Sequence, residues 1–138
     1  MSEPLHTATA VTGVTPFKTD ITLPTALVMS DAPGEHGGQG IGPSPVDLLT
    51  GALSACKTMT AMMYARRKEW PVESIRIDVR HVQKQIDGKP GDVFECDVVI
   101  EGDLTDEQRR RVYEISNKCP VHKMLAGETP VESGLVGG

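Results

Sequence analysis

The sequence predicts an α+β fold in a single domain spanning residues 1–138. Three observations predict it: a long run of helix formers from about Ser44 to Glu69, two stretches of strict apolar–polar alternation after it, and the order strands, long helix, strands, short helices. A chain of 138 residues has the size of one ordinary domain. Its 14 basic and 19 acidic side chains leave a net charge of −5, which argues against a nucleic-acid partner. With 38% hydrophobic and 24% charged residues, the composition is that of a globular protein. No apolar run is long enough for a membrane span, so no membrane partner is expected. The first ten residues hold no basic cluster followed by an apolar run, and a cytoplasmic, reducing location is therefore expected.

The N-terminal part reads as short strands. Thr7 to Gly13, Phe17 to Leu23 and Ala26 to Asp31 are β-leaning stretches punctuated by Gly13, Pro16 and Pro24. Asp31 to Pro45, with five glycines and three prolines, is expected to be a mobile loop without regular structure. Its glycine spacing fits neither a dinucleotide fingerprint nor a nucleotide P-loop, so a lid over a nearby site is the functional reading left to it. Ser44-Pro45-Val46-Asp47 is a helix start: a hydroxyl at the N-cap, proline at the first helical position and a carboxylate three residues after the cap. Val46, Leu49, Leu53, Cys56, Thr60 and Met63 recur at helical spacing, and Leu48, Ala52, Ala55, Met59 and Met62 make adjacent faces apolar. This helix is expected to be buried on most sides. Arg66, Arg67 and Lys68 suit its C-terminal dipole, and Pro71 stops it.

Ser74 to Val82 and Val93 to Glu101 alternate as half-buried strands, joined by a turn over Asp87 to Asp92. Leu104-Thr105-Asp106-Glu107-Gln108 is a capping box opening a second helix, with Val112 and Ile115 inward and an end near Lys118. Arg109-Arg110-Arg111 reads as a solvated face of that helix. Cys119-Pro120 makes Cys119 the N-cap of a short helix through Leu125, and a last strand is expected from Thr129 to Ser133.

Three cysteines, Cys56, Cys96 and Cys119, are an odd number without close spacing, so they are expected to matter as thiols rather than as a disulfide framework or a paired metal motif. Five aromatic side chains imply an aliphatic, methionine-filled core, part of it between subunits, and hence a homodimer. Cys119, at a helix N-terminus with Lys118, His122 and Lys123 nearby, is the thiol whose ionised form the local sequence favours. By periodicity Cys56 and Cys96 read as packing residues. Cys119, His122, Cys56 and His81 form a drawable zinc set, but the spacing is not diagnostic and no metal is expected. No Ser-His-Asp arrangement is present in a nucleophile-elbow context.

The segments Gly42-Pro43-Ser44-Pro45-Val46-Asp47-Leu48-Leu49, Ala52-Leu53-Ser54-Ala55-Cys56, Met59-Thr60, Tyr64-Ala65-Arg66-Arg67-Lys68 and Asn117-Lys118-Cys119-Pro120-Val121-His122-Lys123 together resemble the OsmC/Ohr family, from about Asp31 to Leu125. The resemblance implies an intertwined homodimer, with two long central helices packed back to back against curved, mostly antiparallel sheets. It also implies a thiol peroxidase that reduces organic hydroperoxides in oxidative-stress defence. Carried onto this chain, Cys56 is the attacking thiol and Cys119 the resolving one, with a dithiol such as a lipoyl group as reductant and no cofactor. Two positions depart from the family's pattern. Val46 stands where the peroxidases have glutamate, with Asp47 its neighbour, and no arginine precedes Arg66. The candidates for stabilising the thiolate are therefore His81, Arg80 and Lys18. The other function these departures suggest is a non-catalytic module holding a small hydrophobic ligand in the same apolar cleft.

Overall fold

A computed structural model describes residues 3–137 of the chain. They fall into two compact units, one ending at Leu49 and the other beginning at Thr50.

The first unit carries three short antiparallel strands, β1 (Thr9–Thr12), β2 (Thr19–Thr22) and β3 (Leu27–Ser30), in sheet order β1-β2-β3. They fall inside the three expected stretches. The glycine-rich segment after β3 is more ordered than its composition suggests. Gly34–His36 forms a 3-10 turn, closed by Gly37 at φ 90°. A Cβ on Gly38 would collide with the Ala32 carbonyl, so only glycine fits there. The organiser is Asp31, 3% exposed, whose carboxylate accepts backbone N–H bonds from Ala32 (2.8 Å), Gln39 (3.1 Å), Ile41 (3.3 Å) and Phe17 (3.3 Å). Burial alone raises its pKa, but the four donors outweigh burial and hold the carboxyl below its ordinary value of 3.8.

Helix α1 (Pro45–Arg67) starts where the sequence places it. The Ser44 hydroxyl accepts from Asp47 N–H at 3.1 Å, and the Asp47 carboxylate accepts from Ser44 N–H at 3.0 Å, a reciprocal cap. Its burial differs from the expectation of a helix covered on most sides. Leu53, Lys57, Ala61 and Ala65 form one buried stripe at steps of four residues. On the opposite face Gly51, Ala55, Met59 and Met63 are exposed, Met59 at 58% and Met63 at 63%. Apolar residues are thus present on two faces, of which the chain itself covers one.

The second unit's sheet is a long hairpin, β4 (Val72–Ile86) and β5 (Lys89–Gly102). The strands run further than the alternation indicates, because the turn is only Asp87-Gly88 rather than the expected six residues. Asp87 at φ 50° and Gly88 at φ 81° give the left-handed pair that matches strand twist, so pairing begins at once with Ile86 opposite Lys89. Helix α2 (Asp106–Ser116) has the reciprocal cap the sequence predicts, between Thr105 and Gln108. It ends about a turn's half earlier than Lys118. Ala61, Ala65, Val72, Ile100 and Val112 make the core, with Met62, Trp70, Ile75, Val98, Leu104 and Tyr113 packed around it. The Ser54 hydroxyl donates to the Ile77 carbonyl at 2.9 Å and ties α1 to β4.

Two further expectations are overturned. The arginine triplet is not a uniformly solvated face: Arg109 bonds the carbonyls of Ile100, Gly102 and Leu104, and Arg111 bonds the Tyr64 hydroxyl at 3.2 Å. Successive helical residues point in different directions, so a run of like residues cannot share one face. Residues 129–133 form no strand, because the described chain there offers no pairing partner and remains exposed coil.

Replacing Ser44 by alanine is expected to lower stability by about 1 kcal/mol, measured by urea denaturation, because the α1 cap is lost. For Asp31, a depressed pKa means its stabilisation is complete above pH 3.8 and is lost as pH falls through the lower native value. In hydrogen exchange, the Gln39 and Ile41 amides should lose protection in Asp31→Asn at neutral pH, and in the parent only below that range.

Candidate functional site

Two elements of the second unit converge on a pair of thiols. Cys56 sits in the middle of α1, half-buried between its covered and exposed faces. Cys119 is the N-cap of α3 (Pro120–Ala126), as the Cys-Pro step predicts, and is 0% exposed. Its Sγ accepts the His122 N–H at 3.3 Å. The two cysteine side chains are close enough for Cys56 to influence the ionisation of Cys119, although they stand 63 positions apart in the chain.

Lys57, the residue after Cys56, completes the arrangement. It is 1% exposed, the one buried cation among the described residues. Its Nζ donates to the Ser116 carbonyl (3.3 Å), to Asn117 Oδ1 (2.9 Å) and to His122 Nδ1 (3.1 Å). An ammonium has three N–H donors, so these bonds use all of them. Because Nδ1 accepts, the His122 ring proton resides on Nε2. No local motif in the sequence marks Lys57. The available signal was a charged residue at i+4 from Leu53 and i−4 from Ala61, inside an apolar stripe.

The electrostatics differ from what the local sequence suggests. Cys119 was expected to ionise readily at its helix terminus. Burial, the largest influence, pushes its pKa up instead, and the Cys56 side chain adds to the rise; the His122 N–H and the Lys57 charge oppose it. Lys118 and Lys123, near it in sequence, are exposed. His122 is pushed below its ordinary pKa by burial and then by Lys57.

The other candidates are engaged elsewhere. Arg80 bonds Asp97 at 2.7 Å and reaches Glu95 at 3.6 Å, and these carboxylates, Asp97 first, raise its pKa. His81 contacts Asp92 at 2.9 Å through Nε2 and stacks on Phe94, with ring centroids 5.2 Å apart. Lys18 belongs to the first unit, where its Nζ lies 3.3 Å from Asp20. Asp47 is occupied in capping its own helix. Cys96, half-buried opposite Val79, joins Leu53, Phe94, His122 and Leu125 around an open, mainly apolar cavity of about 260 Å³. Among the described residues no three of His, Cys, Asp and Glu are grouped to hold a metal ion. No helix is long and apolar enough to cross a membrane.

Comparison with known proteins adds the context. The family model described as OsmC-like protein matches residues 36–134. An OsmC-like protein from Mycoplasma pneumoniae superposes with a TM-score of 0.74 at 21% identity, covering 91% of this chain and 90% of its own. An osmotic stress induced and detoxification response protein from Psychrobacter arcticus gives 0.71 at 21% identity, over 88% and 89% of the two chains. An organic hydroperoxide resistance protein from Elizabethkingia anophelis gives 0.69 at 20% identity, over 91% of each chain. These likenesses establish the mixed α+β fold with antiparallel sheets. Comparison with curated proteins found no match.

The depressed His122 pKa has a measurable sign. As pH falls below 6.5 the unfolded chain takes up a proton that native His122 resists, so stability declines with it. By NMR the His122 ring should remain the Nε2–H tautomer and titrate below 6.5. Lys57→Met should move that midpoint upward while burial still keeps it depressed.

Proposed function

Since this chain belongs to the OsmC-like family, we propose that it is a thiol-dependent peroxidase acting on organic hydroperoxides in the cytoplasm, as a homodimer, in oxidative-stress defence. The observation that carries this reading is the convergence of Cys56 and the Cys119 turn, which Lys57, the residue after Cys56, ties together through Ser116, Asn117 and His122. Their unequal burial supports the division of roles. Cys56 is partly exposed, as an attacking thiol needs, whereas Cys119 is fully buried and shielded from peroxide in solvent.

In this reading the Cys56 thiolate attacks the terminal, hydrogen-bearing oxygen of the hydroperoxide. The S–O bond forms, the O–O bond breaks, and the alkoxide takes a proton to leave as an alcohol. Cys119 then displaces the hydroxyl of the Cys56 sulfenic acid, giving a disulfide and water. A dithiol, of the lipoyl type, restores both thiols by exchange and is itself oxidised. The apolar cavity beside His122 suits the organic part of such a peroxide. The exposed stripe of Gly51, Ala55, Met59 and Met63 supports pairing of α1 with its copy in a second subunit, the long-helix arrangement the family resemblance implies.

The same cavity favours one other reading, a binding module for a small hydrophobic ligand, because Cys96 rather than Cys56 is in its wall. Turnover separates the two. The parent should consume cumene hydroperoxide with a dithiol reductant, and Cys56→Ser should reduce the rate by at least ~10³-fold, the scale of losing a nucleophile. Mass spectrometry after one equivalent of peroxide should find Cys56 linked to Cys119. Absence of turnover together with tight uptake of an apolar ligand would favour the binding module.

A further inference from the structure

Lys57 does not occupy its place for packing. A buried ammonium is costly unless it is paired, and among the described residues no carboxylate forms an ion pair with it. Its three acceptors are neutral groups, and all belong to the segment that flanks Cys119 on both sides: Ser116 and Asn117 before it, His122 after it. The side chain therefore starts one residue from Cys56 and ends on the turn that carries Cys119. With every N–H engaged, it has none to offer a substrate, so it acts through the groups it holds and through its charge.

Resting on the peroxidase reading above, we propose that Lys57 is the positioning residue of the resolving step: it latches the Cys119 turn against α1 and supplies the positive charge that lets buried Cys119 attack oxidised Cys56. In that step the Cys119–Cys56 S–S bond forms and the Cys56 S–O bond breaks. Cys56 sulfenic acid is reduced, Cys119 is oxidised, and the Cys119 proton leaves with the hydroxyl as water. The oxidant is the organic hydroperoxide that made the sulfenic acid. The titratable groups around Cys119 are Cys56 and Lys57 from α1 and His122 from α3, and of these Lys57 alone opposes the effect of burial through its charge.

The test is rapid-quench mass spectrometry of the full chain after one equivalent of cumene hydroperoxide, with dimedone to trap sulfenic acid, across pH 6 to 10. Lys57→Met removes both bonds and charge, Lys57→Gln removes the charge while keeping amide donors, and Asn117→Ala removes one bond at an exposed position. Each unit by which a thiol pKa rises lowers its thiolate about tenfold at neutral pH, partly offset by greater nucleophilicity. Disulfide closure in both Lys57 variants should therefore slow about 3- to 10-fold at pH 7, with more sulfinic acid at Cys56 under excess peroxide, and recover toward the parent rate at pH 10. Asn117→Ala should slow closure by a similar factor at every pH. Closure at the parent rate in the Lys57 variants at all pH values would overturn the proposal and leave the peroxidase reading intact. A uniform slowing in both Lys57 variants, without recovery at high pH, would reduce Lys57 to a purely structural tie and overturn the charge role. Finding neither sulfenic acid at Cys56 nor a Cys56–Cys119 disulfide in the parent would overturn both this proposal and the peroxidase reading.

Discussion

The three hydrogen bonds of the Lys57 ammonium are the constraint on which the rest of the site depends. Removing a cation from water costs several kcal/mol even after relaxation, and a hydrophobic side chain of similar volume often serves packing as well or better. Lys57 has the burial of a core residue and the neighbours Leu53 and Ala61 along its stripe. What distinguishes it is where its nitrogen ends. By binding Ser116, Asn117 and His122 it draws the end of α2 and the start of α3 toward the turn of α1 that bears Cys56. The proximity of the two thiols is thus fixed by a polar tie, while the aliphatic core of Ala61, Ala65, Val72, Ile100 and Val112 holds the elements in general alignment.

Helix α1 reconciles two demands. One stripe must bury against the hairpin, which Ser54 secures through the Ile77 carbonyl, and a thiol must stay accessible. Cys56 meets both because it stands between the covered face and the exposed stripe of Gly51, Ala55, Met59 and Met63. An all-round buried helix would have sealed the sulfur away. An ordinary amphipathic helix, polar on its outer side, would have left it in a hydrophilic setting.

The parts legible in the sequence are those whose partners are close by in the chain. Ser44 with Asp47, Thr105 with Gln108, and Cys119 before Pro120 are each satisfied within three residues, and the helix starts follow from residue type alone. The long helix and the alternating strands were readable for the same reason. Lys57 was not, because its partners lie 59 to 65 residues away and nothing local marks a lysine as buried. Asp31 escaped notice similarly: a glycine-rich stretch looks structureless until one carboxylate collects N–H groups from residues 17, 32, 39 and 41. The reversed expectation for Cys119 has the same origin. Helix position and nearby lysines are visible in sequence, but burial, which dominates, is a property of the folded chain.

Comparison of the two charges buried among the described residues shows why they act differently on their surroundings. Asp31 is an anion met by four backbone N–H dipoles aimed at it, three from the loop that follows it and one from Phe17, and those dipoles both satisfy its lone pairs and stabilise its charge. The result is a closed arrangement that fixes a loop. Lys57 is a cation met by two oxygens and a ring nitrogen of neutral groups. They satisfy its N–H bonds, but they cannot cancel a full positive charge as a carboxylate would. Arg80, Lys18 and Lys84, each beside a carboxylate, have that cancellation, and their fields are spent locally. The field of Lys57 remains available to its surroundings, and the ionisable groups there are two thiols and a histidine. For His122 that field disfavours a second positive charge. For Cys119 it favours a negative one, the form in which sulfur reacts.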